Sequence, residues 1–135
     1  MQSYFLKLKR TCTHLTKVAT AEAKSQAGVF GAQAQALLKI AELDGCKISE
    51  LSHHLELGKS GLTTLVDRLE KQDLVIRESD PDDARATILR LTNKGVRTHG
   101  SVLKMVDQLD SRLIDGFSEN EIKIIDKFLM QAARL

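Results

Sequence analysis

The sequence predicts a mainly helical single domain that carries one short β-hairpin. Three observations lead there. Apolar residues recur at spacings of three and four through most of the chain, the signature of one-sided helices. That period breaks over residues 74–91, where β-branched and apolar runs flank a turn rich in Pro and Asp. The chain has 135 residues with one proline and eight glycines, which suits one domain with few turns and a core of its own.

The first helix is read over 3–24, with Phe5, Leu8, Cys12, Leu15 and Ala19 on one stripe. Its heptad-like spacing suits packing against another helix, including one from a second chain. Gly28 to Gly31 breaks it. A second helix follows at about 32–43 around Leu37, Leu38, Ile40 and Ala41, and Gly45 ends it. Ser49 is read as the N-cap of a short helix from Glu50 to Leu55. After the Leu57-Gly58 turn, a fourth helix runs from Lys59 to about Gln72. Leu62, Leu65, Val66 and Leu69 form its buried face. Lys59, Ser60, Thr63, Thr64, Asp67, Arg68 and Lys71 stay outside. Two short helices joined by a tight turn, the second with a small, polar and basic outer face, form a helix-turn-helix.

Leu74–Glu78 and Thr87–Leu91 are the two strands of the hairpin, and 79–86 is expected to be its long exposed tip. Such a hairpin directly after a helix-turn-helix is a wing. Thr92 caps the next helix, which reaches about Asp115 and spans about 35 Å at 1.5 Å per residue. That length extends it toward a partner. Ser118-Glu119-Asn120-Glu121 is a capping box before the last helix, with Ile122, Ile125, Leu129 and Ala132 on one stripe and Phe128 beside it.

Composition bounds the function. Apolar residues are 42% and charged residues 28% of the chain, enough to fold and too balanced for disorder. No apolar run could span a membrane, and Lys7, Lys9 and Arg10 stand where a signal peptide needs apolar residues. The expectation is a cytoplasmic protein without membrane contact. Two cysteines, Cys12 and Cys46, are too few for a disulfide scaffold, so both are read as reduced thiols. Cys12, on the apolar stripe, is expected to be buried and inert. His14, His53, His54 and His99 form no ligand set, and no CxxC, HExxH, GxGxxG or P-loop occurs. Neither metal nor cofactor nor enzymatic activity is expected. The net charge of +2 is a weak nucleic-acid signal. Residues 1–24 hold five basic residues against one acidic, whereas 59–94, the segment assigned to DNA, is balanced at seven of each.

The order of elements, and the stretch from Leu51 to Gly95, resemble the multiple-antibiotic-resistance regulator (MarR) family of winged helix-turn-helix transcription factors. The matching residues are Leu65-Val66-Asp67-Arg68-Leu69-Glu70-Lys71, Leu74-Val75-Ile76-Arg77, Asp80-Pro81-Asp82-Asp83-Ala84-Arg85 and Leu91-Thr92-Asn93-Lys94-Gly95. The resemblance implies a mainly α fold with a two-stranded β-wing. It implies a DNA-binding lobe at about 32–95, flanked by dimerisation helices at about 1–31 and 96–135. The function implied is a sequence-specific regulator, most often a repressor, on a pseudo-palindromic operator.

Within that reading, Lys59, Ser60, Thr63, Thr64 and Arg68 are DNA contacts of the recognition helix, and Arg85 enters the minor groove from the wing. Asp83 orients Arg85, and Arg77 belongs to a salt-bridge network at the base of the wing. A homodimer interface would use Phe5, Leu8, Leu113, Phe117, Ile125, Phe128 and Leu129. A small aromatic acid as effector would meet His14, Leu15, Lys17, Val18, Phe30 and Leu37. The sequence departs from the family at Phe30, where a threonine often caps the second helix, at Gly58, which has no side chain to cap the recognition helix, and at Asp73, which replaces a glycine. Two other functions stay open: a winged-helix module that binds a protein partner without DNA, and a thiol-based redox regulator built on Cys12.

Overall fold

The computed structural model describes residues 2–55 and 57–135. It divides into two compact units, Met1–Met105 and Val106–Leu135. The first unit contains α1 (Tyr4–Ala27), α2 (Gly31–Glu42), β1 (Cys46–Lys47), α3 (Ile48–Leu55), α4 (Lys59–Lys71), β2 (Val75–Asp80) and β3 (Asp83–Leu91). Helix α5 (Asn93–Ile114) begins in the first unit and ends in the second, which also holds α6 (Glu119–Ala132).

Local chemistry sets the boundaries. The Ser3 hydroxyl accepts the Leu6 N–H at the start of α1, and Gly28 closes it in the left-handed region at φ 68°. Helix α3 starts at Ile48, two residues before the expected Glu50. The Glu50 carboxylate reaches back to the Lys47 N–H at 3.3 Å, so Ser49 lies inside the first turn and is not its cap. Asp44 and Asp73 take φ of 49° and 57° after α2 and α4, a conformation that aspartate tolerates better than most residues.

The sheet has three antiparallel strands in the order β1-β3-β2, one more than the expected hairpin. Strand β1 has only two residues, Cys46 opposite Leu89 and Lys47 opposite Ile88, too short to show alternation in sequence. The wing also differs from the long loop anticipated at 79–86. The strands continue to Asp80 and Asp83, and Pro81-Asp82 makes a two-residue turn. Pairing steps from Ser79 opposite Thr87 to Asp80 opposite Asp83, leaving Ala84, Arg85 and Ala86 in a bulge on β3. A bulge bends its strand and re-aims its side chains.

The core of the first unit is Leu37 and Ile40 from α2, Leu51 from α3, Val66 and Leu69 from α4, Leu89 from β3 and Val102 from α5, each at most 1% exposed. Helix α1 adds only Ala23 to the buried set. Its long stripe is therefore not core of this chain. Phe5 is 67% exposed, Cys12 is exposed, and Leu8 and Ala19 are half-buried. The expected burial of Cys12 does not hold within one chain, because only the far end of α1 meets the core.

The junction between α4 and α5 explains the Leu-Thr-x-Lys-Gly stretch. The Thr92 hydroxyl donates to the Asp73 carbonyl, and its N–H donates to Leu74 O at 3.1 Å. Lys94 Nζ donates to Gln72 O at 2.8 Å, which satisfies a carbonyl at the end of α4. The Thr92 oxygen also accepts the Gly95 N–H at 2.9 Å, capping α5. Gly95 is buried against the Leu74 carbonyl, and a Cβ there would overlap that oxygen.

In the second unit, Gly116 turns the chain at φ 83°. The capping box forms as read: Ser118 N–H donates to Glu121 at 3.0 Å, and Glu121 N–H donates to Ser118 Oγ at 3.2 Å. The Ser118 N–H, followed by its hydroxyl, holds the Glu121 carboxyl below its ordinary value. Leu113, Ile114, Phe117, Ile124, Phe128, Leu129 and Met130 are all exposed.

Gly95→Ala should destabilise the first unit by at least about 1–3 kcal/mol, the usual range for overpacking, because backbone cannot yield as a side chain can. Urea denaturation of the two chains checks this; an unchanged midpoint would mean that the α4–α5 junction is loose.

Candidate nucleic-acid interface

Helix α4 is presented on a braced turn. The Ser52 hydroxyl donates to Leu57 O at 3.3 Å across the α3–α4 connection. Gly58 occupies the N-cap with extended backbone and no side-chain cap. Leu62, Leu65, Val66 and Leu69 fix the inner face, so Lys59, Ser60, Gly61, Thr63, Thr64 and Arg68 are exposed together on the outer face. The Thr63 and Thr64 hydroxyls both donate at 3.0 Å to the carbonyls four residues back, Lys59 O and Ser60 O. Their protons are thus spent on the helix. What they offer outward is oxygen lone pairs and methyl groups, suited to the exocyclic amines of adenine and cytosine and to the thymine methyl.

The balanced charge of this segment is resolved by pairing. Arg77 on β2 donates from Nε to Glu70 and from Nη2 to Asp67 at 2.9 Å. One guanidinium therefore occupies both carboxylates of α4. Among the described residues, no acidic side chain pairs with Lys59, Arg68, Lys71 or Arg85. Asp67, Glu70, Glu78, Asp80 and Asp83 are tied to the scaffold, while the cations of the outer face of α4 have no carboxylate partner among the described residues. Arg68 lies beside Phe30, with its guanidinium carbon 5.9 Å from the ring centroid.

The wing is organised by aspartates. Asp80 is buried, accepts the Asp82 N–H at 2.9 Å and pairs with Lys47 Nζ at 3.5 Å. Asp83 accepts the Arg85 N–H at 3.0 Å, which shapes the bulge that carries Arg85. Sequence reading missed Lys47, because β1 was invisible. It also missed Arg90, which donates to Glu78 at 2.6 Å and to Asp44 O at 2.8 Å, fastening the α2–β1 loop to the sheet. The opposite charges of Glu78 and Arg90 on facing strands were the available signal, usable only with the register in hand.

The residues read as an effector site differ in exposure. His14, Leu15 and Lys17 are exposed on α1, Val18 is half-buried, Leu37 is sealed in the core, and Phe30 faces Arg68. A separate cavity of about 290 Å³ lies among Ile40, Asp44, Arg90, Leu91, Val96 and His99. Of the residues read as a dimer surface, Phe5, Leu113, Phe117, Phe128 and Leu129 are exposed, and Leu8 and Ile125 are half-buried. Cys46 is fully buried, and burial together with the neighbouring Glu50 carboxylate pushes its thiol up to about 11.

A helix-turn-helix with an outward polar helix and an adjoining hairpin that carries an arginine in its bulge defines a winged helix-turn-helix protein. The MarR family model matches residues 32–87. The uncharacterized HTH-type transcriptional regulator YsmB of Bacillus subtilis (strain 168) is 34% identical over 90 residues, 67% of this chain and 62% of YsmB. The HTH-type transcriptional repressor MdtR of the same organism is 29% identical over 101 residues, 75% of this chain and 65% of MdtR. The chain thus spans somewhat under two thirds of the length of these curated relatives. A crystal structure of MarR superposes with a TM-score of 0.77 at 25% identity, covering 98% of this chain and 96% of that one. The S. aureus MepR–DNA complex shares the fold at a TM-score of 0.83 and 18% identity, covering 99% and 98%. Residues 32–87 carry the MarR-family match, and the chain as a whole is similar to MarR-family regulators. The family and these relatives are transcriptional regulators, which are not enzymes. No described helix is long and apolar enough to cross a membrane.

The buried thiol yields a test. A raised value means that the folded state favours the neutral thiol, an advantage complete below the ordinary value of 9.0 and lost as pH rises through about 11. In a Cys12→Ser chain, Cys46 should react with a thiol-specific disulfide reagent at pH 8 only as fast as the first unit opens. Immediate stoichiometric reaction would contradict the packing described.

Proposed function

We propose that this chain is a cytoplasmic, DNA-binding transcriptional regulator that acts as a homodimer on a pseudo-palindromic operator. The observation that carries this is the sorting of charge. Arg77 occupies Asp67 and Glu70, while Lys59, Arg68 and Arg85 are exposed on α4 and the wing. The lobe at about 32–95 reads the site: Ser60, Thr63 and Thr64 face base edges, Lys59 and Arg68 meet phosphate, and Arg85 enters the narrow minor groove. Dimerisation falls to the flanking segments, where Phe5, Leu113, Phe117, Phe128 and Leu129 form exposed apolar surface in need of cover.

The finer reading is repression relieved by a small aromatic acid. Its support is the family, including relatives named as repressors. A ligand at the exposed side of α1, with its carboxylate on His14 or Lys17, would act by favouring one spacing of the two recognition helices.

The decisive experiment is a fluorescence-anisotropy titration against duplexes that the chain itself selects from a randomised library. Two chains should bind per duplex, with half-sites about 10 base pairs apart. Arg85→Ala should cost about 1–3 kcal/mol and relax preference at A·T-rich flanks. Arg68→Ala should weaken all duplexes alike and lower the salt slope by about one per bound chain. If no duplex is enriched, the DNA reading falls and a protein-partner module takes its place.

A further inference from the structure

We infer that Phe30 is a positioning residue for DNA binding, holding the Arg68 guanidinium on the outer face of α4. The inference rests on the DNA reading above and adds a residue to it. Phe30 is the N-cap of α2, where its side chain makes no capping hydrogen bond. Its own N–H is satisfied by the Gln33 side chain at 2.8 Å, but the ring offers the first-turn N–H groups of α2 no acceptor, so capping does not account for a phenylalanine here. The residue is 51% exposed, although a phenylalanine at a helix start could have been packed inward on the adjoining core. What it meets is Arg68, with 5.9 Å from guanidinium carbon to ring centroid, inside the range of cation–π attraction.

The neighbours of Arg68 strengthen the case. An exposed arginine on a helix ordinarily swings toward whatever carboxylate is near. Here the nearby carboxylates of α4, Asp67 and Glu70, are both engaged by Arg77. With those partners occupied, the aromatic ring is the group that restrains the Arg68 side chain. A ring restrains a guanidinium without cancelling its charge, whereas a carboxylate would cancel it. The α2–α4 contact is itself fixed nearby by the Gln33–Gln72 hydrogen bond at 2.8 Å, so ring and guanidinium are carried on a rigid pair of helices. Phosphate can then approach the free edge of a guanidinium whose rotamers are already restricted, which lowers the ordering cost of the contact.

The test is a double-mutant cycle on DNA affinity, using the duplex selected by the parent chain. Phe30→Ala should weaken binding about two- to fivefold per bound chain in the parent and leave an Arg68→Gln chain unchanged. Phe30→Trp, which keeps an aromatic face, should retain parent affinity. Phe30→Leu, which keeps apolar bulk without that face, should behave as Phe30→Ala. Equal losses in both backgrounds would assign Phe30 to the fold alone, and no loss in the parent would remove the role outright. Failure of the parent to select any duplex would overturn the DNA reading itself, a result distinct from either.

Discussion

Arg77 is the residue on which the placing of α4 against the wing depends. It reaches from the first strand of the wing to two carboxylates on the recognition helix. Exposed pairs of this kind contribute about 0–1 kcal/mol each, so their main effect is not on stability. Their effect is on position and on field. The wing and the recognition helix are fixed relative to each other by a planar group with fork-shaped donors. The two carboxylates of α4 share that one positive charge, which halves their combined negative charge and turns them toward the wing. A segment with equal numbers of acids and bases can then present a positive face.

The rest of the lobe follows the same logic of fixing the ends of α4. At its start, the α3 turn is braced by Ser52. At its end, Thr92, Lys94 and Gly95 engage the backbone of Gln72, Asp73 and Leu74. Beyond the sheet, Lys47–Asp80 and Arg90–Glu78 join β1 and the α2–β1 loop to the wing. Each of these contacts removes one way for α4 to tilt within the lobe. Two family-signature stretches thereby acquire physical roles. Val-Asp-Arg-Leu-Glu supplies the carboxylates that Arg77 joins, and Leu-Thr-x-Lys-Gly closes the far end.

Helices were legible because their apolar period is long and regular. Leu62, Leu65, Val66 and Leu69 are buried as the spacing of α4 requires. The capping box at Ser118 was legible because its chemistry is local. Strand β1 was not, since two residues carry no period and pair with β3 more than forty positions away. The wing tip was misread because Asp and Pro suit a long loop as well as a tight turn beside a bulge. Which of the two forms depends on Asp80, whose burial and pairing with Lys47 are tertiary facts. The contact of Phe30 with Arg68 across α2 and α4 was not legible, since it joins positions far apart in the chain. The stripe on α1 shows the converse: its period was right, but a period cannot say whether the covering surface belongs to the same chain.

Charge removal by neutral substitution tests the central claim most directly. Affinity for the selected duplex would be compared among the parent, Arg77→Met, and the triple variant Arg77→Met with Asp67→Asn and Glu70→Gln. Releasing two carboxylates beside phosphate should weaken binding by about tenfold or more in the single variant. Removing those charges in the triple variant should restore affinity to within about threefold of the parent, since neutralisation is then no longer needed. A triple variant as weak as the single one would contradict the account, and would make Arg77 a contact or a fold residue in place of a neutraliser.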